Sequence, residues 1–157
     1  MFGTPVIRFL LCQTLVFSAS FVGAQGSIRG LGPWYEQINK PSWNPPNLVF
    51  APVWTVLFFL MGLSLFWIVQ SDSEKKTAAY VAFGLQLVLN VAWSWLFFAG
   101  RQLGPAFAEI LMMWVGILVT ILLFARIQAR AAWILVPYLA WVTFASVLNF
   151  VIWRLNA

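Results

Sequence analysis

Long apolar stretches separated by short polar connections run along the whole chain. Charged residues rarely interrupt these stretches, and because a charge at the centre of a bilayer is costly, the charges mark the ends of candidate membrane spans. A helix needs roughly 20 apolar residues to cross the hydrocarbon core. The pattern therefore predicts five transmembrane helices, at about residues 5–25, 47–70, 78–99, 105–125 and 132–153.

The connections between these helices are short except for the first. Residues 71–76, 100–104 and 126–130 are typical of links between antiparallel neighbours in an up-and-down bundle. The segment at about 26–46 holds four of the eight prolines, and a connection longer than about 12 to 15 residues in a compact domain is usually functional. The sequence thus predicts a single all-α transmembrane domain over residues 1–157, a polytopic five-helix bundle whose long first loop acts as a lid.

The first apolar stretch also fits a signal peptide. Arg8 precedes the apolar core, and Val22 with Ala24 satisfies the small-residue rule for cleavage before Gln25. Against this, Arg8 is a single charge placed late, and the stretch is long enough to span a bilayer. We expect a retained first helix, and an intact mass of the purified protein would decide between the two interpretations.

Composition agrees with a membrane protein and excludes several kinds of function. Hydrophobic residues make up 62% of the chain and charged residues 8%, outside the range of soluble domains. The net charge of +5 comes from Lys and Arg scattered singly, so no nucleic-acid partner is predicted. With no histidine and Cys12 as the single cysteine, we expect no metal site, no required cofactor and no conventional nucleophile.

Three predicted helices each carry aromatic and polar residues at helical spacing. Facing one another, such stripes would wall a small-molecule pocket with a few polar anchors. Alternatively, the amides only hydrogen-bond neighbouring helices, as polar residues in membrane bundles commonly do. Spacing alone leaves both interpretations open. The stripes are Gln86, Asn90, Trp93 and Phe97; Tyr138, Trp141, Ala145 and Asn149; and Trp54, Phe58 and Met61.

Two further features of the predicted spans have a structural interpretation. Glu109 is an ionisable group within a span, which suggests a functional role, but it follows Pro105 closely, and the favourable position of an acid near a helix N-terminus is the preferred explanation. Ala78 and Ala82, one helical turn apart with Gln86 a turn further on, predict a close helix contact. We therefore expect a homodimer through the third helix.

Five segments of the chain resemble one known family. They are residues 34–46 (WYEQINKPSWNPP), 50–55 (FAPVWT), 90–94 (NVAWS), 137–145 (PYLAWVTFA) and 148–149 (LN). Together they resemble the signature of the TspO/MBR family, which comprises the translocator protein, the tryptophan-rich sensory protein and the peripheral-type benzodiazepine receptor. The resemblance extends over essentially the whole chain and suggests a bacterial member.

The resemblance implies a five-helix bundle, usually a homodimer, with a pocket beneath the first loop. It implies binding of porphyrins such as protoporphyrin IX and haem, and of benzodiazepine-site ligands, by a membrane receptor or carrier in tetrapyrrole handling and stress regulation. The membrane would belong to a bacterial cell envelope, or would be the mitochondrial outer membrane in a eukaryote. The implied ligand contacts are Tyr35, Pro45, Trp54, Phe58, Asn90, Trp93, Trp141 and Ala145, and the stripe adds Phe97.

Two other functions compete with a receptor. Some bacterial members of the family are credited with light-dependent porphyrin degradation, for which Trp54, Trp93 and Trp141 are the candidate residues. A secondary transporter would show internal repeats, which the five spans lack. Phe150 stands where the sterol-recognition pattern of animal members requires tyrosine, so sterol is not predicted as the ligand.

Overall fold

The computed structural model describes residues 4–74 and 76–157. Helices account for 82% of the structure, with no strands among the described residues, which confirms the all-α fold. The helices are α1 (Pro5–Gly30), α2 (Pro33–Gln37), α3 (Asn47–Gln70), α4 (Thr77–Ser94), α5 (Leu103–Ala125), α6 (Ala129–Trp133) and α7 (Val136–Leu155), and a π-helical turn (Trp95–Ala99) continues α4.

Five helical segments in the described part of the chain are long and apolar enough to cross a membrane. They are α1, α3, α4 with its π turn, α5, and α6 together with α7. The shortest contain 23 residues, about 34 Å at 1.5 Å per residue, against a hydrocarbon core of about 30 Å. The protein is therefore an integral membrane protein with five spans, as predicted.

The first helix continues beyond its predicted end at residue 25 and stops at Gly30. Its last two turns pack tightly against the π turn. A Cβ at Gly26 would lie 3.0 Å from the Trp95 ring, and one at Gly30 would collide with the Phe98 carbonyl. Glycine suggests a loop in a sequence, but here its missing side chain allows two helices to approach closely. The lid is consequently shorter than predicted and consists of α2 and residues 38–46.

The surface predicted for dimer contact is largely used inside the chain. Ala82 is 9% exposed and Gln86 is 1% exposed. Gln86 packs against Gly116 of α5, where an added Cβ would lie 3.2 Å from the Gln86 Cβ. Ala82 and Gln86 pack within one chain and are not free for a contact between chains, whereas Ala78 is exposed. Homodimerisation itself stays a prediction.

Glu109 is buried in the bundle, and its predicted structural explanation is wrong. It is the seventh residue of α5, beyond the first turn to which the helix dipole effect is confined. Its side chain is 4% exposed, and neither carboxyl oxygen has a hydrogen-bond partner among the described residues. The dipole of α5 therefore does not account for an acid at this position.

Candidate functional site

A cavity of about 410 Å³ lies beneath the lid, between α1, α3, α4 and α7. Its volume is within the range of about 300 to 1,000 Å³ usual for small-molecule sites. Most of the residues predicted to contact ligand line this one space. They are Tyr35, Trp54, Phe58, Asn90, Trp93, Trp141 and Ala145.

Aromatic rings form the walls contributed by α3 and α7. The Trp54 ring lies 5.8 Å from the Phe58 ring and 6.2 Å from the Tyr138 ring, and the Trp141 ring lies 6.0 Å from Phe50. The indole Nε1 of Trp141 is buried and has no hydrogen-bond partner in the described part of the chain. Buried polar groups are almost always hydrogen-bonded in native proteins. Trp141 lines the cavity and carries a buried donor that no described residue uses.

Asn90 connects the cavity to a buried hydrogen-bond network. Its Nδ2 donates to the Tyr138 hydroxyl at 2.9 Å, and this hydroxyl donates to Gln86 Oε1, also at 2.9 Å. The described residues form no hydrogen bond to the Oδ1 of Asn90, so this oxygen can accept one from a ligand. Gln86 is not among the residues that line the cavity. Hydrogen bonding between helices therefore accounts for Gln86, whereas Asn90 both bonds to a neighbouring helix and lines the cavity.

A second bond between helices supports the same wall. The Trp93 Nε1 donates to Asn149 Oδ1 at 2.9 Å, and Asn149 Nδ2 donates to the Leu103 carbonyl at 2.9 Å. Asn149 is 1% exposed, so its amide is used entirely between helices. These bonds fix the orientation of the Trp93 ring, which lines the cavity.

Two predicted contacts, Phe97 and Pro45, lie outside the lining of the cavity. Phe97 is 3% exposed and packs instead beside Trp34 and Tyr35 under the lid. The π turn explains the difference, because a π turn contains about one residue more than an α turn and advances the register by one. Phe98 accordingly takes the position at the cavity, with its ring 5.8 Å from that of Trp93.

Helix α1 supplies a wall that the sequence analysis missed. Its contribution is made of small or aliphatic residues, without the aromatic and amide stripe that marks the other walls. A run of small residues on an apolar helix is the one signal that points to it. The residues are Ser20, Gly23, Ala24, Ser27 and Ile28, and Leu31 adds to this wall directly after the end of the helix.

Tyr35, on α2 of the lid, closes the cavity from above. It is 3% exposed, and its hydroxyl donates to Asn44 Oδ1 at 3.3 Å. Burial raises the pKa of the Tyr35 phenol, so the group remains a neutral donor at physiological pH. The ammonium of Lys40 donates to the carbonyls of Tyr35, Glu36 and Ile38, which satisfies the C-terminal end of α2.

The fold and the cavity define a class: an integral membrane protein with an internal cavity, partly walled by aromatic rings, inside a five-helix bundle. The TspO/MBR family matches residues 9–154. The chain is 39% identical to the tryptophan-rich protein TspO of Chlorobaculum tepidum, over 96% of this chain and 97% of that protein. It is 40% identical to the translocator protein of Ovis aries, over 97% and 90% respectively. It is 38% identical to the tryptophan-rich sensory protein of Cereibacter sphaeroides, over 93% and 91%.

The chain therefore belongs to the TspO/MBR family. This membership supports a receptor role in a membrane. The ligand and the residues that contact it remain predictions.

Proposed function

We propose that the protein is a membrane receptor or carrier for porphyrins, such as protoporphyrin IX and haem, and for other flat aromatic ligands of the benzodiazepine-site type. Its role would lie in tetrapyrrole handling and stress regulation. The observation that supports this most is that Trp54, Trp93 and Trp141 line one cavity, and that the buried indole Nε1 of Trp141 has no hydrogen-bond partner among the described residues.

The cavity has the chemistry that a flat conjugated ligand requires. Indole rings can stack on the face of a macrocycle, and such aromatic pairs contribute about 0.5 to 1.5 kcal/mol each beyond their buried area. The Trp141 donor and the Oδ1 of Asn90 supply the directional contacts that fix orientation in an otherwise apolar site. A carbonyl or carboxylate at the edge of the ligand would satisfy the Trp141 N–H.

A titration of the purified protein with protoporphyrin IX tests this function. We expect saturable binding, and Asn90→Ala and Trp54→Phe should each weaken it by about 1 to 3 kcal/mol, because a buried polar contact or indole is lost. Trp133 is 72% exposed and does not line the cavity. Trp133→Phe is therefore the matched control and should bind like the wild type. Wild-type affinity in both cavity variants would contradict the proposal.

A second candidate function is light-dependent oxidative degradation of a bound porphyrin. The observation that favours it is that Trp54, Trp93 and Trp141 line the same cavity, so three oxidisable indoles would surround an excited macrocycle, with dioxygen as the oxidant. Illumination of the complex in air should then remove the porphyrin absorbance and form a new product. The reaction should be slower in Trp141→Phe than in Trp133→Phe. An unchanged spectrum under light would identify the protein as a binder only.

A further inference from the structure

The lid above the cavity is fastened to the end of the last helix. The Asn39 backbone N–H donates to Asn156 Oδ1 at 2.9 Å, and Asn156 Nδ2 donates back to the Asn39 carbonyl at 2.8 Å. Nearby, the Trp43 ring packs on Phe144 with centroids 5.9 Å apart. Opening the lid would break these contacts between the lid and α7. The lid therefore closes the cavity on the side facing the aqueous phase.

The side of the cavity between α1 and α3 is open. Ala24 and Ile28 on α1, and Ala51 and Thr55 on α3, line the cavity and are also exposed at the surface of the bundle. Ile28, for example, is 67% exposed. On the opposite side the lining is closed, since Asn90 is buried within the bundle. We use the name portal for the opening between Ala24, Ile28, Ala51 and Thr55.

The portal faces hydrocarbon. Helix α3 has 24 residues, about 36 Å in length against a hydrocarbon core of about 30 Å. Thr55 lies eight residues after the first residue of α3, about 12 Å along the helix, and is therefore well below the headgroups. Its hydroxyl donates to the Ala51 carbonyl at 2.8 Å, so no unpaired donor is presented to lipid at this position.

The composition of the portal suits the passage of an apolar ligand. The side chains of Ala24 and Ala51 are small, which leaves the space between the two helices unfilled. The nearest charge along α1, Arg29, is placed over the Trp95 ring at 4.6 Å and so is held against the π turn. None of the four residues of the portal is charged. A flat hydrophobic molecule dissolved in the bilayer would therefore meet no charge at the opening.

We propose that ligands exchange between the cavity and the bilayer sideways through the portal, and that the lid stays closed during exchange. The inference rests on the proposed function, because it concerns the route to the cavity that binds porphyrin. It specifies the class of ligand further: the ligand partitions into the membrane first and is taken up from hydrocarbon. Association should then follow the concentration of ligand in the lipid and not its concentration in water.

Rate measurements on protein in lipid nanodiscs test the route, with protoporphyrin IX as the probe. Ala51→Trp and Ala24→Trp place an indole in the portal from either helix. An added barrier of about 1.4 kcal/mol lowers a rate constant about tenfold, so we expect association and dissociation to slow by about that factor, while their ratio changes far less. Val115 on α5 is exposed and does not line the cavity, so Val115→Trp is the matched control and should keep both rates.

A locked lid provides the complementary measurement. A disulfide between Asn39→Cys and Asn156→Cys, made with Cys12→Ser to leave no other thiol, should leave both rate constants at the wild-type values. Loss of exchange in the locked protein, or unchanged rates in both portal variants, would overturn the inference while leaving porphyrin binding intact. Absence of saturable binding in the wild type would instead overturn the proposed function, and this inference with it.

Discussion

The close contact between Gly30 of α1 and the π turn leads us to predict that a larger residue at Gly30 destabilises the protein. A Cβ at Gly30 would collide with the carbonyl oxygen, carbonyl carbon and Cα of Phe98. These are backbone atoms and cannot move aside as a flexible side chain can. Gly30→Ala must therefore push the end of α1 away from the π turn. Overpacking of this kind costs about 1 to 3 kcal/mol.

Gly84 of α4 provides the matched control, because a Cβ there would meet nothing within 4 Å. Alanine in place of a helical glycine normally stabilises by about 0.5 to 1 kcal/mol. The two Gly→Ala substitutions should thus act in opposite directions and differ by about 1.5 to 4 kcal/mol. Gly30→Ala should also weaken porphyrin binding, since Phe98 lines the cavity.

Unfolding in mixed micelles, followed by tryptophan fluorescence as the denaturing detergent fraction rises, measures this difference. We expect Gly30→Ala to unfold at a lower fraction than the wild type and Gly84→Ala at an equal or higher one. Equal stability of the two variants would show that α1 and the π turn are not in close contact, and the upper part of the cavity would then have a different shape.

Two further predictions concern buried polar groups. Glu109→Leu should raise the free energy of unfolding by about 1 to 3 kcal/mol, because it removes a buried carboxyl without a hydrogen-bond partner among the described residues; a thermal melt that shows destabilisation would indicate a partner for Glu109 in the membrane. Tyr138→Phe should cost about 1 to 3 kcal/mol, since the hydroxyl serves both Gln86 and Asn90, and should weaken ligand binding as Asn90 loses its support. Unchanged melting and binding in this variant would contradict a role for the network in orienting Asn90.

The five spans could be predicted from the sequence because charge and hydropathy alone determine where helices can cross a bilayer. The positions of Asn90, Trp93 and Trp141 also followed from helical spacing, since α4 and α7 are regular over those residues. An amide or indole within an apolar span is a strong local indication of which helix face points into the bundle. The walls formed by α3, α4 and α7 were therefore within reach of the pattern.

What the sequence could not show depends on contacts between distant segments. The π turn shifts Phe98 into the position predicted for Phe97, and no residue type in the sequence indicates such a turn. Gly30 ends helix α1 instead of lying in a loop. This could not be predicted, because the residue it contacts, Phe98, is far away in the chain. Glycine and alanine give the same local pattern whether they face a second chain or a neighbouring helix. For this reason the pattern around Ala82 could not distinguish packing within the chain from a contact between chains.

An experimental structure of the complex with protoporphyrin IX would show directly whether the cavity beneath the lid binds a porphyrin. We expect the macrocycle between the rings of Trp54 and Trp141, with an oxygen of the ligand accepting a hydrogen bond from the Trp141 indole and with the Asn39 to Asn156 contact intact. A porphyrin bound on the lipid-facing surface of the bundle, with the cavity empty, would show that the cavity is not the porphyrin site.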